Sequence, residues 1–445
     1  MIELLRRVAV EDPARVAIVT HDRSVTYADL LASAEAAASE LVADEVTRFA
    51  ALSHQADVMI ALLAGASSVG VEMCQYPPVS EAEVAELAWR FDHDLIIDEP
   101  RSSPRWADGE GRAGADAADP VHRPDRPHLV LTTGTTGAPR GVRHDWSRLL
   151  RSTRRVRPAP GQRWLLAYGL HQFAGLQVLL HVFAAGATLV APAPRRPVEG
   201  LAAMRGLGVT HASATPTYWR FLLAELRADG GPTPELQQIT LGGEAIPAPL
   251  LSQIRTAFPD AEVSQVYAAS EFGATGSVRD RRSGLSTEVL ARGEDADVAM
   301  KVVDGELWVR SRIGMLGYYG EDPVDADAWR PTGDLVEMTD DRILFRGRSS
   351  EIVNVGGVKV HPLPIEERVG AVAGVDMARA FGRPNPMTGS IVAVEIVPVP
   401  GADIDQIKTA VREACKDLDA AARPRSIRFV DHVTTSGDKI IRRAQ

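Results

Sequence analysis

The chain has 445 residues, more than one hydrophobic core usually accommodates, and we therefore expect at least two domains. A formal net charge of −10 argues against non-specific nucleic-acid binding, which needs a basic surface. Cys74 and Cys415 are too few for a disulfide framework and lie in no zinc motif. The start MIELLRRVAVEDP is not a secretory signal, and no run of about 18 apolar residues occurs. We expect a cytoplasmic protein with no membrane span and no nucleic-acid partner.

The first 300 residues alternate strand-like apolar runs with amphipathic helices, which favours a parallel sheet covered on both faces. Thr26 is predicted to begin a helix that runs through Val42, and Ser80 to form a capping box with Glu83. Gly186 is predicted to end a helix over Phe173–Ala185. The predicted buried strands are Leu129–Thr132, Trp164–Ala167, Ala187–Val190, Thr210–Ala214, Gln238–Leu241 and Glu262–Tyr267.

Other parts of the chain depart from this alternation. Pro100–Pro127 is a polar segment without periodicity, and the sequence leaves open whether it is a surface connection or a domain boundary. From Asp297 the pattern predicts a hairpin with an Asp304–Gly305 turn. A small α+β pattern follows Gly347, and we place a hinge near Arg346–Glu351, between domains 1–347 and 348–445. The elements predicted there are helices at Pro364–Gly370 and Asp403–Leu418, and strands at Ala378–Phe381, Ile391–Val397 and Ser426–Val430.

The stretch LVLTTGTTGAPRGV, residues 129–142, indicates a strand followed by a turn rich in glycine and threonine. Its glycines let the backbone approach a ligand closely, and its hydroxyls and amides suit a chain of phosphates. The GK[ST] ending of a Walker A loop is missing. A plain surface turn is the alternative for a generic string of this kind. The candidate phosphate-binding residues are Thr132, Thr133, Gly134, Thr135, Thr136, Gly137 and Arg140.

This string resembles the phosphate loop of the adenylate-forming superfamily, which includes acyl- and aryl-CoA ligases, adenylation domains of peptide synthetases and firefly-type luciferases. Further motifs follow in the family's order over nearly the whole chain, with the character of acyl- or aryl-CoA ligases. The resemblance implies an α/β fold. Its large N-terminal domain consists of stacked sheets with helices plus a β-rich subdomain, and its C-terminal domain is small, mobile and α+β. The two domains predicted above agree with this independently.

Three motifs resemble the family's nucleotide contacts. LGGEAIP (residues 241–247) resembles the adenine-side loop, VYAASEFG (266–273) the segment that contacts adenine and α-phosphate, and PTGDL (331–335) the ribose motif. By that match Tyr267 stacks on adenine, Glu271 holds Mg²⁺, and Asp334 accepts the ribose hydroxyls. A carboxylate beside polyphosphate makes physical sense with a hard cation between them. The implied ATP-binding residues are Gly242, Gly243, Glu244, Tyr267, Ser270, Asp334 and Arg348.

Two further motifs lie near the C-terminus. Residues 347–367 resemble the family's hinge and the loop that lines its thioester tunnel, with Ser350 where aspartate is usual. Gly356 and Gly357 would leave room for a pantetheine arm. Residues 434–443, TTSGDKIIRR, resemble the catalytic-lysine motif, with Asp438 replacing a glycine. A basic tail is the alternative for Lys439.

Lysine is rare in this chain: five of the 49 basic residues are lysine. A lysine that persists among so many arginines favours a need for an ammonium group, since the two side chains are not equivalent at a tight site. At Lys439 an ammonium between carboxylate and α-phosphate would offset the repulsion of two anions during attack. Arg140 stands where the phosphate loop usually carries lysine, and arginine also binds phosphate well.

The segment YGLHQFAGLQ, residues 168–177, resembles the one beside the family's acyl pocket. His171 matches a histidine that often gates this pocket, and with Glu271 and Lys439 it completes the implied catalytic set. The aspartate that pairs an α-amino group in peptide-synthetase domains is missing. The implied pocket residues, whose apolar character favours a fatty, branched or aryl acid, are His171, Phe173, Gly175, Thr217, Tyr218, Gly242, Ala268 and Ala269.

The resemblance implies an enzyme that uses ATP and Mg²⁺ to convert a non-α-amino carboxylic acid into acyl-AMP. The acyl group then passes to a thiol of CoA or of carrier-protein phosphopantetheine, and the enzyme is a monomer or a homodimer. Two alternatives stay open: transfer to a nitrogen or oxygen nucleophile, and a non-catalytic nucleotide-binding member of the fold.

Overall fold

The computed structural model describes residues 1–52, 55–98, 105–106, 126–132, 139–192, 195–280, 282–293, 295–436 and 439–442, with the backbone alone at 105–106, 436 and 439. Its α-helices are Ile2–Glu11, Tyr27–Ala43, Ala56–Val69, Glu81–Phe91, Trp146–Leu149, Phe173–Ala185, Pro197–Gly206, Pro216–Asp229, Ala248–Ala257, Pro362–Gly370 and Ile404–Ala414. Short 3₁₀ helices lie at Leu150–Arg155, Thr287–Ala291 and Ser349–Glu351.

The largest sheet has eight strands and is parallel except at its two ends, where the last strand on each side is antiparallel. Its strands are, in spatial order, Gly273–Val278, Glu262–Ala269, Gln238–Gly242, His211–Ala214, Arg163–Leu166, Thr188–Val190, Val16–Val19 and Ser24–Thr26. Most residues of the central parallel strands are buried, and the strands His211–Ala214 and Thr188–Val190 are buried along their whole length, as is usual for parallel strands covered on both faces.

A second sheet has seven strands, of which the central ones are parallel. Its strands are, in spatial order, Gly317–Tyr318, Arg140–Asp145, Pro127–Thr132, Glu72–Gln75, Arg48–Ala51, Leu95–Ile97 and Arg105–Trp106. Residues of both sheets and of the helices between them share one hydrophobic core, so the two sheets are stacked. Within this core a Cβ on Gly65 would lie 2.7 Å from the carbonyl oxygen of Ala34, so the close helix pair requires a glycine there.

The remaining sheets are smaller. An antiparallel five-stranded sheet consists, in spatial order, of Leu285–Ser286, Arg342–Arg348, Arg330–Met338, Glu306–Ser311 and Val298–Val303. The C-terminal part forms a three-stranded sheet of Val375–Asn385, Gly389–Pro398 and Ser426–Phe429, with hairpins at Val353–Val355 and Val358–Val360 and at Thr435–Ser436 and Lys439–Ile440. Its own core packs the two C-terminal helices on that sheet. The predicted α/β class, with a large N-terminal set of sheets and a smaller β-rich C-terminal part, is confirmed.

The local predictions agree with the structure to within a few residues. Thr26 caps its helix by accepting the Asp29 backbone N–H, and Ser80 with Glu83 forms the capping box. Asp304 and Gly305 have φ of 50° and 77°, as a two-residue hairpin turn requires. The six predicted buried strands are present, and the helix Phe173–Ala185 has the predicted bounds.

Two predictions needed correction. The second C-terminal helix ends at Ala414 instead of Leu418. Leu418 packs on the same core as the helix, so the apolar pattern in the sequence continues beyond the last helical residue. The segment Pro100–Pro127 contains an edge strand, Arg105–Trp106, paired with Leu95–Ile97, and two residues are too few to show periodicity. Most of this segment lies outside the described residues. None of the helices in the described part of the chain combines the length and apolar composition that crossing a bilayer requires.

Candidate active site

A cavity of about 1280 Å³ lies between the motifs predicted to contact the nucleotide and the C-terminal segment, residues 440–442. Strands Gln238–Gly242 and Glu262–Ala269 are parallel neighbours, so the loops that follow them leave the same edge of the sheet. Strands Arg330–Met338 and Arg342–Arg348 add further lining residues. The predicted residues that line the cavity are Thr132, Arg140, Gly243, Glu244, Tyr267, Ala268, Ala269, Ser270, Glu271, Asp334, Arg348 and Ser350.

One wall is organised around the carboxylate of Asp334. Tyr267 donates its hydroxyl to Oδ2 at 2.6 Å, and the Nε of Arg348 lies 3.1 Å from Oδ1. Asp334 and Arg348 are cross-strand partners, which explains why two residues 14 apart meet. The ring of Phe345 lies 5.0 Å from that of Tyr267 and holds it in place. The result is a fixed acceptor beside an aromatic ring, a suitable arrangement for a nucleoside.

Burial and charge act together on this wall. Burial is the main cause that raises the pKa of Tyr267, and the neighbouring carboxylate adds to it. The phenol therefore stays protonated and donates a hydrogen bond to Asp334. The same carboxylate raises the pKa of Arg348. Tyr267 therefore stays protonated and Arg348 stays charged, and as hydrogen-bond donors the two fix the orientation of the Asp334 carboxylate.

We predict that Asp334→Asn raises the KM for ATP about tenfold and leaves kcat within about threefold. The amide keeps one acceptor but faces Tyr267 or Arg348 with a second donor. ATP titrations of initial rate measure the effect. The matched control is Asp341→Asn, which breaks an exposed ion pair with Arg282. An unchanged KM would show that Asp334 does not bind the nucleotide.

The opposite end of the cavity joins Arg140 to Glu271 through Tyr318. The Arg140 guanidinium lies 3.3 Å from the centre of the Tyr318 ring and 2.5 Å from a carboxylate oxygen of Glu321. Tyr318 donates its hydroxyl to Oε1 of Glu271 at 3.0 Å, and burial together with that carboxylate raises its pKa to about 12. Strand Gly317–Tyr318 pairs with Arg140–Asp145, which places these side chains together.

This end fits magnesium phosphate. The described residues contain no cluster of three or more acidic, histidine or cysteine side chains that could hold a metal by themselves. Mg²⁺ commonly takes one or two carboxylates and completes its shell with water and substrate phosphates, so the single carboxylate of Glu271 is sufficient. Thr133, Gly134, Thr135, Thr136 and Gly137 of the predicted phosphate loop lie outside the described residues.

The C-terminal segment reaches the cavity from the other side. The backbone N–H of Ile440 donates to Oε1 of Glu244 at 3.0 Å, and Ile440, Ile441 and Arg442 line the cavity. The backbone of Lys439 pairs with Ser436, so this lysine is the residue directly before that contact. Asp438 lies outside the described residues.

Two arginines hold the ends of this hairpin. Arg379 donates to the carbonyl of Ile441 at 2.5 Å, and its guanidinium lies 3.5 Å from the Thr434 hydroxyl. Arg442 lies 2.9 Å from Glu366 and 3.5 Å from Glu351. Burial by itself lowers the pKa of Arg442, but these carboxylates outweigh it and the pKa is raised.

The residue predicted for the hinge lines the cavity, and the two glycines predicted for the thioester tunnel lie away from it. Ser350 lies in the 3₁₀ helix Ser349–Glu351 and lines the cavity. Gly356 and Gly357, with φ of 59° and 89°, form the turn between Val353–Val355 and Val358–Val360, where a residue with a side chain would be strained. Gly357 donates its N–H to the Asn354 side chain at 2.8 Å. This turn is exposed and lies outside the cavity wall.

The predicted acyl-pocket residues other than Ala268 and Ala269 do not line this cavity. A Cβ on Gly169 would lie 2.3 Å from the His171 ring, so that ring folds onto the backbone, and burial lowers its pKa to about 4. A Cβ on Gly175 would lie 2.2 Å from the Gly169 carbonyl oxygen, so Gly175 is required by packing. A Cβ on Gly200 would lie 1.9 Å from the Tyr218 hydroxyl, which therefore points toward that helix.

Phe173, Thr217 and Gly242 are the other predicted pocket residues outside the cavity wall. Phe173 stacks on His144, with ring centroids 5.1 Å apart. Thr217 donates its backbone N–H to Glu244, and Gly242 ends a buried strand, where its carbonyl accepts from Tyr168. Several of the predicted pocket residues therefore have packing roles in this structure.

The sequence interpretation missed Tyr318, Phe345, Glu366 and Arg442. Tyr318 and Phe345 lie in unremarkable strands, and only the fold brings them to the motifs. Glu366 and Arg442 belong to quoted motifs, and their opposite charges were the available signal. The pair forms only because the C-terminal segment folds back over 76 residues.

The fold is shared with a solved CoA ligase. The structure superposes on the anthranilate CoA ligase AuaEII, solved with anthranoyl-AMP, with a TM-score of 0.82 and 16% identity, over 99% of this chain and 95% of that one. Residues 5–319 match the AMP-binding enzyme family, and residues 364–437 match the AMP-binding enzyme C-terminal domain. Because the first match alone spans more than half of the sequence, the chain belongs to the AMP-binding enzyme family.

Curated relatives match over almost the whole chain. A fatty acid–[acyl-carrier-protein] ligase, MmaC of Mycobacterium marinum, is 26% identical and is matched over 98% of this chain and 88% of that protein. A medium/long-chain-fatty-acid–[acyl-carrier-protein] ligase, FadD10 of Mycobacterium tuberculosis, is also 26% identical, over 98% of this chain and 86% of that protein. The predicted membership of the adenylate-forming superfamily is confirmed.

Proposed function

We propose that this enzyme is an acid–thiol ligase that activates a carboxylic acid with ATP and transfers the acyl group to a thiol. The observation that carries the proposal is the single cavity in which Asp334 and Tyr267, Glu271 and Arg140, and the strand of Lys439 converge. A nucleoside contact, a phosphate contact and a mobile cation are the three groups that adenylation of an anion needs.

In the first half-reaction an oxygen of the substrate carboxylate attacks the α-phosphorus of ATP, and the bond to the β-phosphate breaks to release pyrophosphate. Asp334 orients the nucleoside, and Arg140 and Glu271 orient the polyphosphate, with Glu271 as the protein ligand of Mg²⁺. Mg²⁺ supplies charge neutralisation of the phosphates when it is bound. Lys439 offsets the repulsion between carboxylate and phosphate, the electrostatic contribution that usually dominates.

In the second half-reaction a thiolate attacks the acyl carbonyl carbon, and AMP leaves. Residues 348–445 would rotate against residues 1–347 at Ser350 between the two steps, which carries the turn at Gly356 and Gly357 toward the site. Arg442 ties the C-terminal strand to Glu351, next to this hinge, so the strand and the hinge would move together.

We propose a fatty acid as substrate and carrier-protein phosphopantetheine as acceptor. MmaC and FadD10, both fatty acid–[acyl-carrier-protein] ligases, support both choices. The chain also offers no aspartate in residues 168–177 for an α-amino group.

The test is acid-dependent exchange of labelled pyrophosphate into ATP across a panel of fatty, branched and aryl acids. We expect exchange with medium- to long-chain fatty acids and none with α-amino acids. Repeating the reaction with CoA and with a phosphopantetheinylated carrier protein, followed by product mass, identifies the acceptor. ATP binding without exchange for any acid would instead favour a non-catalytic member of the fold, and product formed with an amine or alcohol would favour the other alternative.

A further inference from the structure

The carboxylate of Glu244 lies where three parts of the chain meet. Its Oε2 accepts the backbone N–H of Thr217 at 3.0 Å, and its Oε1 accepts the backbone N–H of Ile440 at 3.0 Å. Thr217 belongs to the first turn of helix Pro216–Asp229, whose N–H groups have no partner within the helix. One carboxylate therefore joins the adenine-side loop, a helix N-terminus and the strand that carries Lys439.

Charged side chains of the large N-terminal part and of the C-terminal segment both favour this position of the Glu244 carboxylate. Arg220, on the same helix as Thr217, interacts with Glu244 and with Glu366, and Arg442 interacts with the same two carboxylates. A helix N-terminus also favours a negative charge. Glu244 thus lies between cations of the large N-terminal part and of the C-terminal segment.

The side chain that follows the contact is packed as well. Ile440 is buried with Met377 and Val433, and Phe221 of helix Pro216–Asp229 packs against this cluster. The backbone of Ile440 is held by the hydrogen bond to Glu244, and its side chain is held by this apolar contact. Together they set the position of the backbone at Lys439.

We propose that Glu244 is a positioning residue: it docks the strand of Lys439 against the cavity for adenylation, through the N–H of Ile440. The inference rests on the proposed function, in which Lys439 acts in the first half-reaction. It differs from the ATP contact that the LGGEAIP motif implies for Glu244. A nucleotide contact would change the KM for ATP, whereas a positioning role changes kcat of adenylation.

The kinetic test compares Glu244→Ala with Glu244→Gln and with Glu262→Ala, a control that breaks an exposed ion pair with Arg279. Loss of a charge-assisted hydrogen bond predicts a roughly ten- to hundredfold lower kcat of pyrophosphate exchange in Glu244→Ala. The KM for ATP and the thiolysis of supplied acyl-AMP should change less than about threefold. Glu244→Gln keeps one acceptor oxygen and should lose less.

A double-mutant cycle separates positioning from a structural role. If Glu244 acts through Lys439, then Glu244→Ala causes no further loss in a Lys439→Ala background. Losses that multiply, or equal losses in both half-reactions, would overturn the proposal. A raised KM for ATP with unchanged kcat would overturn it in favour of the nucleotide contact.

Limited trypsin digestion adds a measurement that needs no activity. Trypsin cleaves after lysine and arginine, and the bond between Lys439 and Ile440 is the one whose N–H reaches Glu244. We expect cleavage there, identified by mass spectrometry, to be several-fold faster in Glu244→Ala and unchanged in Glu262→Ala. If the wild type exchanges pyrophosphate with no acid, the proposed function fails, and this cleavage rate alone decides: faster cleavage supports docking by Glu244, and an unchanged rate overturns it.

Discussion

Replacing Lys439 with alanine is expected to lower acid-dependent pyrophosphate exchange by about 10²–10³-fold, the usual cost of removing one group that stabilises transition-state charge. The reason is electrostatic, since carboxylate and α-phosphate are both anions and their approach needs a cation between them. Thiolysis of supplied acyl-AMP is expected to change less than about threefold, because in that step a thiolate attacks a carbonyl carbon and, in the proposed mechanism, the strand of Lys439 has rotated away.

The matched control is Lys416→Ala. Lys416 lies in the same C-terminal part but forms an exposed pair with Glu413, and such pairs contribute little to stability. This variant should keep both half-reactions at wild-type rates. Equal losses of adenylation and thiolysis in Lys439→Ala would contradict the role given to Lys439 and would point to a general defect of the C-terminal part.

Local signals predicted the elements of this fold well. The caps at Thr26 and Ser80, the left-handed Gly186 after helix Phe173–Ala185, and the turn at Asp304 each depend on residues within four positions of one another. Such signals are legible in the sequence because the interactions they report are local. The nucleotide motifs were legible for a related reason, since each is a short contiguous string that resembles a motif of the family.

The parts of the site that were not predicted depend on distance in the chain. Glu244 and Ile440 are 196 residues apart, and Arg140 and Glu321 are 181 apart. No periodicity or motif joins such pairs before the sheets are assembled. The acyl pocket was difficult for another reason: an apolar residue beside a motif, such as Phe173, fits a pocket wall and a packed core equally well.

Three buried histidines are expected to lower the free energy of unfolding of this protein in acid. Burial lowers the pKa of His93 and His144 to about 3 and that of His128 to about 4. The pKa of an unfolded histidine is about 6.5, so the fold favours the neutral ring. This contribution is complete above pH 6.5 and is lost as the pH falls toward the folded pKa. At pH 5 each histidine costs about 2 kcal/mol.

His144 offers the clearest variant of the three. Neither ring nitrogen has a hydrogen-bond partner among the residues that the structure describes, and the ring stacks on Phe173. We expect His144→Phe to lose about 2 kcal/mol less of its free energy of unfolding than the wild type between pH 7 and pH 5. Any packing cost of the larger ring enters equally at both pH values, so the difference reports the titration alone.

Urea unfolding at pH 7, 6 and 5 measures this difference by linear extrapolation. The control is His21→Phe, because His21 is exposed. Its free energy of unfolding should follow that of the wild type across the range. A wild-type pH dependence in His144→Phe would mean that the ring is not held neutral by its surroundings. Protection of His144→Phe in acid would tie the acid sensitivity of the enzyme to strand Arg140–Asp145, on which His144 lies.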